Sequence, residues 1–185
     1  MRIIAGKAKS IRLKTPKKSW RVRPLTDQAR AALFNILAAK IAGSSFLDLF
    51  AGTGAVGIEA LSRGAATAIF VERGREAVTL IRQNLELTGF TDRAEVFAMD
   101  VPRAVKLLAG QGAGFDLIYL GAPYDDPVLA ESLELISRSG LLAAGGLLIA
   151  EYRRQQVMAE SFGALARVRE ARYGETVLGF YRIKK

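Results

Sequence analysis

Apolar positions change rhythm twice along the chain. From Met1 to Leu13 they fall between basic residues, with Ile3 and Ile4, then Gly6, then Ile11 and Leu13. That spacing predicts a short hairpin with one buried face, ended by Thr15-Pro16. After Arg23-Pro24-Leu25, Thr26 is placed to cap a helix from Asp27 to about Ile41. Ala29, Leu33, Phe34, Ile36 and Leu37 lie on its apolar side and Gly43 beyond its end.

From Ser45 onward, short apolar runs alternate with amphipathic stretches. Strands are predicted over Phe46 to Phe50, Ala68 to Val71, Ala94 to Ala98, Phe115 to Leu120 and Leu147 to Ala150. Between them lie helices from about Ala55 to Ser62, Arg75 to Leu87, Pro102 to Leu108 and Pro127 to Ser137. Such alternation implies a parallel sheet covered on both faces. Ala164 to Tyr173 and Thr176 to Ile183, joined at Gly174-Glu175, read as a closing β-hairpin. The expected architecture is a doubly wound α/β fold with a mixed sheet of seven strands, preceded by a basic hairpin arm over residues 1–24 and one helix.

With 185 residues the chain is expected to form one domain, 1–185. It has no cysteine and no histidine, which removes disulfides, thiolate zinc sites, thiol nucleophiles and the commonest general base. No metal is expected. The N-terminus lacks the apolar core of a signal peptide, and no apolar run approaches the roughly 18 residues that span a bilayer, so a cytoplasmic protein without membrane association is expected. A monomer is expected too.

The formal net charge is +9, and residues 1–23 carry Arg2, Lys7, Lys9, Arg12, Lys14, Lys17, Lys18, Arg21 and Arg23 with no acidic residue. A local basic excess is the electrostatic footprint of a polyphosphate partner, although a solvated arm has the same composition. Trp20, able to stack on a base, favours RNA.

Candidate chemistry begins at Asp48-Leu49-Phe50-Ala51-Gly52-Thr53-Gly54-Ala55-Val56-Gly57, directly after the first strand of the alternating region. Gly52 and Gly54 allow a sharp turn and close approach of a ligand to main chain. With Gly57 they spell the dinucleotide fingerprint, and Glu72 follows where an acid binds ribose hydroxyls, so glycines alone leave nicotinamide and S-adenosylmethionine both open. Asp48 beside the loop would repel a diphosphate and suits the methionine ammonium of S-adenosylmethionine. Asp100, after Phe97-Ala98-Met99, can accept from an adenine amino group. Acids ending three successive strands favour S-adenosylmethionine. Phe50, Ala51 and Thr53 complete the candidate cofactor loop.

At these residues the sequence resembles the class I methyltransferases, and more closely the RsmD family of bacterial 16S rRNA guanine-N2 methyltransferases. The likeness covers nearly the whole chain. It is carried by Arg2-Ile3-Ile4-Ala5-Gly6, by Arg23-Pro24-Leu25-Thr26-Asp27-Gln28-Ala29-Arg30 with Leu33-Phe34-Asn35, by Leu47 to Gly54 with Gly57 to Gly64, and by Phe115 to Leu120. The resemblance implies a Rossmann-like class I methyltransferase fold, S-adenosylmethionine as cofactor and guanine in ribosomal RNA as substrate. Arg23 and Thr26 can serve simply to join hairpin to helix; the resemblance instead implies that they lie in a lid over the methionine end of the cofactor, with Arg23 near RNA phosphate.

One segment departs from the pattern. Enzymes that methylate exocyclic amines carry Asn or Asp, then Pro-Pro, then an aromatic after the fourth strand; here the positions read Gly121-Ala122-Pro123-Tyr124. Tyr124 keeps a face for a flipped base and the Ala122 carbonyl remains an acceptor, but Gly121 brings no side chain. Asp125 or Asp126 can supply a carboxylate, or can serve as turn and cap ahead of Pro127. The sequence therefore predicts guanine-N2 methyl transfer, with a non-catalytic cofactor- or RNA-binding protein and a nicotinamide oxidoreductase as alternatives.

Overall fold

The computed structural model describes residues 1–16, 25–124 and 126–184. Its elements are α1 (Asp27–Ile36), α2 (Ala38–Ile41), β1 (Ser45–Leu49), α3 (Ala55–Ser62), β2 (Thr67–Glu72), α4 (Arg75–Thr88), β3 (Ala94–Ala98), α5 (Val101–Gly110), β4 (Phe115–Leu120), α6 (Val128–Ser139), β5 (Leu142–Arg153), β6 (Ser161–Phe162), β7 (Leu165–Tyr173) and β8 (Thr176–Ile183). One sheet has the order β3-β2-β1-β4-β5-β8-β7-β6. β1 to β5 are parallel; β8, β7 and β6 join antiparallel. This is the expected mixed α/β sheet, with the two-residue β6 added as an eighth, edge strand.

Alternation along the strands sends residues to two cores. Phe46, Phe70, Tyr119 and Phe180 face the side packed by α1, α3, α4 and the N-terminal arm. Leu47, Val71, Ile118 and Leu148 face α5 and α6. With both faces buried, the central strands read as nearly continuous apolar runs. No helix among the described residues is long and apolar enough to cross a membrane.

Three expectations are refined. The predicted hairpin is a tight turn with one antiparallel bridge, Arg2 to Arg12, and it stays folded by docking on α3. The helix expected through Ile41 breaks at Leu37, where the Lys40 N–H reaches back to the Leu37 carbonyl in a tight turn. β5 begins earlier than its glycines suggest, because the register jumps from Phe115↔Leu142 to Leu117↔Leu147 and the chain bulges around Gly145 at φ +76°.

Candidate functional site

From β1 the chain winds outward through β2 and β3, then returns to β4 and β5 on the other side of β1. Such a reversal leaves a crevice at the carboxyl ends of the strands. A cleft of about 860 Å³ opens there. It is lined by Phe50 and Gly52 after β1, Val71, Glu72 and Arg73 at β2, and Met99, Asp100, Val101 and Pro102 after β3. Gly121, Ala122, Pro123 and Tyr124 follow β4, and Glu151 and Arg153 come from β5. A smaller recess shares Phe50, Gly52, Gly121 and Glu151 and adds Leu25, Asp48, Ala51, Thr53 and Tyr119.

Phe50, Gly52 and Gly54 all have left-handed backbones, at φ +61°, +55° and +74°. Glycine takes that conformation without penalty, whereas Phe50 holds it against the preference of a side chain. The Ala51 N–H donates to the Val71 carbonyl at 3.0 Å, which ties the loop to β2 and aims α3 at the cleft. Gly57 is needed for another reason: a Cβ there would stand 2.3 Å from Phe70 Cε1. Gly52 and Gly54 shape the turn; Gly57 lets the helix approach the sheet.

The three acids do different work. Asp48 does not reach into the main cleft. Its side chain is buried, and Oδ2 accepts from the Gly57 N–H at 2.9 Å. Burial pushes its carboxyl up to about 8; the Gly57 bond opposes this, and the charges of Glu72 and Glu151 add to it. Glu72 is oriented by two main-chain donors, Gly52 N at 2.9 Å and Gly74 N at 2.8 Å. Asp100 is exposed, lines the cleft and caps α5 by accepting from Arg103 N at 2.9 Å. Thr26 is exposed and caps α1, accepting from Ala29 N at 3.2 Å; its neighbour Leu25, not Thr26, borders the recess. Gly54 is the N-cap of α3 and does not line either space.

On the other wall, Tyr124 is held by its hydroxyl. It donates to Glu151 Oε1 at 2.5 Å and lies 3.1 Å from Thr176 Oγ1. The Arg153 guanidinium stands 5.4 Å from the ring centroid. Tyr119 donates to the second oxygen of Glu151, and burial, then that carboxylate, push the Tyr119 phenol well above its ordinary value. Asp126 accepts from Val128 N at 2.9 Å, the capping role open to it, while Asp125 lies outside the described residues.

Arg2, Lys7, Lys9 and Arg12 are exposed on the arm and do not line the cleft. Lys17, Lys18, Trp20, Arg21 and Arg23 lie outside the described residues. Three charged cleft residues escaped the sequence reading: Arg73, Glu151 and Arg153. Glu151 carried a usable signal, because it follows a predicted strand just as Glu72 and Asp100 do.

Comparison with known proteins decides the family. Residues 1–182 match the family described as Conserved hypothetical protein 95. The chain belongs to this family. YlbH of Bacillus subtilis (strain 168), a member named provisionally as an rRNA methyltransferase, is 36% identical over 182 residues, covering 98% of each chain. Ribosomal RNA small subunit methyltransferase D of Escherichia coli (strain K12) is 35% identical over 151 residues, 82% of this chain and 74% of that protein. In three dimensions the chain is similar to yhhF of Escherichia coli, named provisionally as a methyltransferase. The TM-score is 0.86 at 29% identity, covering 100% of this chain and 98% of the other. The RsmD/YlbH likeness carried by the motifs is thus a family membership, and the fold is that of class I methyltransferases.

Proposed function

We propose that this member of the RsmD/YlbH family transfers a methyl group from S-adenosylmethionine to the exocyclic N2 of a guanine in 16S ribosomal RNA, as a single cytoplasmic methyltransferase domain. One observation carries the proposal: Phe50 and Gly52 of the glycine loop, with Glu72 and Asp100, face the Pro123-Tyr124 turn across one cleft. The coarser activity, rRNA methylation, is in the names of the relatives.

The residues present fit this cofactor. Glu72, fixed by main-chain donors, suits ribose hydroxyls; Asp100 beside Met99 and Val101 suits adenine; Asp48 faces the recess where a methionine ammonium would be neutralised. Acids on this scale disfavour a diphosphate, and with it the nicotinamide reading. When bound, S-adenosylmethionine supplies an electrophilic methyl carbon on a sulfonium. The chain's own task is placement: Tyr124 offers a ring for an extruded base, Ala122 a carbonyl for its amino group, and the apolar wall excludes water. Arg2, Lys7, Lys9 and Arg12, with the lysines and arginines of residues 17–23, supply phosphate contacts.

Incubating the chain with methyl-labelled S-adenosylmethionine and small-subunit particles lacking the modification, then digesting the RNA to nucleosides, tests this. Label is expected in N2-methylguanosine; label in another nucleoside contradicts the assignment. The side chain missing at Gly121 favours a second reading, a non-catalytic binder, which requires S-adenosylhomocysteine binding with no label in any RNA.

A further inference from the structure

The carboxylate absent at residue 121 has a counterpart on the neighbouring strand. β4 and β5 pair with Leu120 opposite Ala150, so Gly121, just past the end of β4, comes beside Glu151, which stays in β5 opposite Leu178, and both line the cleft and the recess. A Cβ at residue 121 would stand 3.0 Å from Tyr119 Cε1, so the Tyr119 ring occupies the start of the path a side chain there would take. That ring ends in a hydroxyl bonded to Glu151. The Tyr124 hydroxyl, on the ring proposed to stack on the base, bonds the other oxygen at 2.5 Å. Two tyrosines thus fix a carboxylate, 5% exposed, between the stacking ring and the recess.

We propose that Glu151 is the catalytic acceptor of this site, taking the target amino group in place of the side chain that Gly121 lacks. The inference rests on the methyltransferase reading above. A carboxylate accepts at more than two sites, and an acceptor at the amino N–H aims the nitrogen lone pair at the methyl carbon. In the transfer a C–N bond forms, sulfur keeps the electron pair of the broken C–S bond, and the surplus proton on nitrogen passes through Glu151 to water. Tyr119 is a positioning residue, holding the carboxylate where the ring leaves room for it.

The test compares the unaltered chain with Glu151→Gln in methyl transfer to 16S RNA, with calorimetric titration of S-adenosylhomocysteine as an independent readout. Glu151→Gln is expected to lower kcat about 10²-fold, the scale of losing one positioned polar group, with KM for RNA and the S-adenosylhomocysteine affinity within about threefold. Adding Gly121→Asp with Tyr119→Leu, which clears space for the new Cβ, is expected to restore at least about a tenth of the rate by analogy with replacing a positioned acceptor. An unchanged kcat overturns the proposal. So does a parallel loss of S-adenosylhomocysteine binding, which assigns Glu151 to the cofactor, or a triple variant as slow as Glu151→Gln. An unaltered chain that labels no RNA overturns the methyltransferase reading itself, and the inference with it.

Discussion

At Asp48 the fold holds a carboxyl group in a state that a cation would change. Burial pushes it up to about 8, so the ligand-free protein keeps the proton where an unfolded chain, ionising near 3.8, has lost it. A raised folded value makes the group's contribution to stability fully present below about pH 3.8 and lost as pH rises through about 8. Asp48→Asn is therefore expected to raise the Tm of the ligand-free protein at pH 8 relative to the unaltered chain, while changing it little at pH 3.5. Cofactor binding draws on the same proton. A cationic cofactor favours the ionised carboxylate, so affinity for S-adenosylmethionine should climb as pH rises from 6 towards 8. Calorimetry of Asp48→Asn should give a flatter dependence and a weaker affinity. At Gly57 the issue is space alone. A Cβ would meet Phe70 at 2.3 Å with Asp48 Oδ2 at 3.1 Å, so Gly57→Ala should destabilise by about 1–3 kcal/mol in urea unfolding, the usual cost of overpacking.

Among the elements, the N-terminal arm depends most on one side chain. Glu59 of α3 is buried and accepts from Ile4 N at 2.8 Å, Ala5 N at 3.0 Å and Arg63 Nε at 2.7 Å. Arg30 Nε stands 3.8 Å from it, and that guanidinium is fully buried, with Nη2 on the Arg2 carbonyl at 2.5 Å and Nε and Nη1 lacking hydrogen-bond partners among the described residues. Removing Glu59 leaves two main-chain donors unsatisfied and leaves the buried Arg30 with only one of its two carboxylate partners, Asp27 at 3.0 Å. Glu59→Ala is expected to cost about 3–5 kcal/mol and to release the arm, seen as faster tryptic cleavage within residues 1–16. Ser62→Ala, which removes the hydroxyl bonded to Ala8 N and the Ala5 carbonyl, should cost nearer about 1 kcal/mol. Docking of this kind is not written in hydrophobic periodicity. Alternation at Ile3, Ile11 and Leu13 correctly predicts a buried face, yet the ladder is one bridge long because α3, not a partner strand, satisfies much of the backbone. The break at Leu37 and the bulge at Gly145 were hidden for a related reason. Each keeps its apolar residues on the expected side while changing the backbone between them.

For the molecule as a whole, the +9 charge and the cleft are one account of RNA recognition. Exposed Arg2, Lys7, Lys9 and Arg12 should act through phosphate, releasing counterions without reading sequence. Replacing all four with alanine is expected to lower the slope of log K against log salt by up to about 3 in RNA binding, at about 0.7 per lost contact. The S-adenosylhomocysteine affinity should stay unchanged, because none of the four lines the cleft. The fold class and the glycine-loop wall were legible because local pattern dictates both: strand, turn and helix fall in sequence, and Glu72 and Asp100 end strands. The opposing wall was less so. Tyr124 was visible as a motif, but Glu151 and Arg153 come from a strand whose neighbours in the sheet are far apart in sequence, and only the β4–β5 register sets Glu151 beside Gly121. On the proposed function the cleft transfers methyl groups with Gly121 and Ala122 as they stand. Side-by-side methyl transfer to unmodified small-subunit particles by the unaltered chain and by Gly121→Asp with Ala122→Pro tests it most directly. The unaltered chain is expected to label guanine N2 and the double variant to be no faster, since its new Cβ crowds Tyr119. Labelling by the double variant alone would contradict the proposed function.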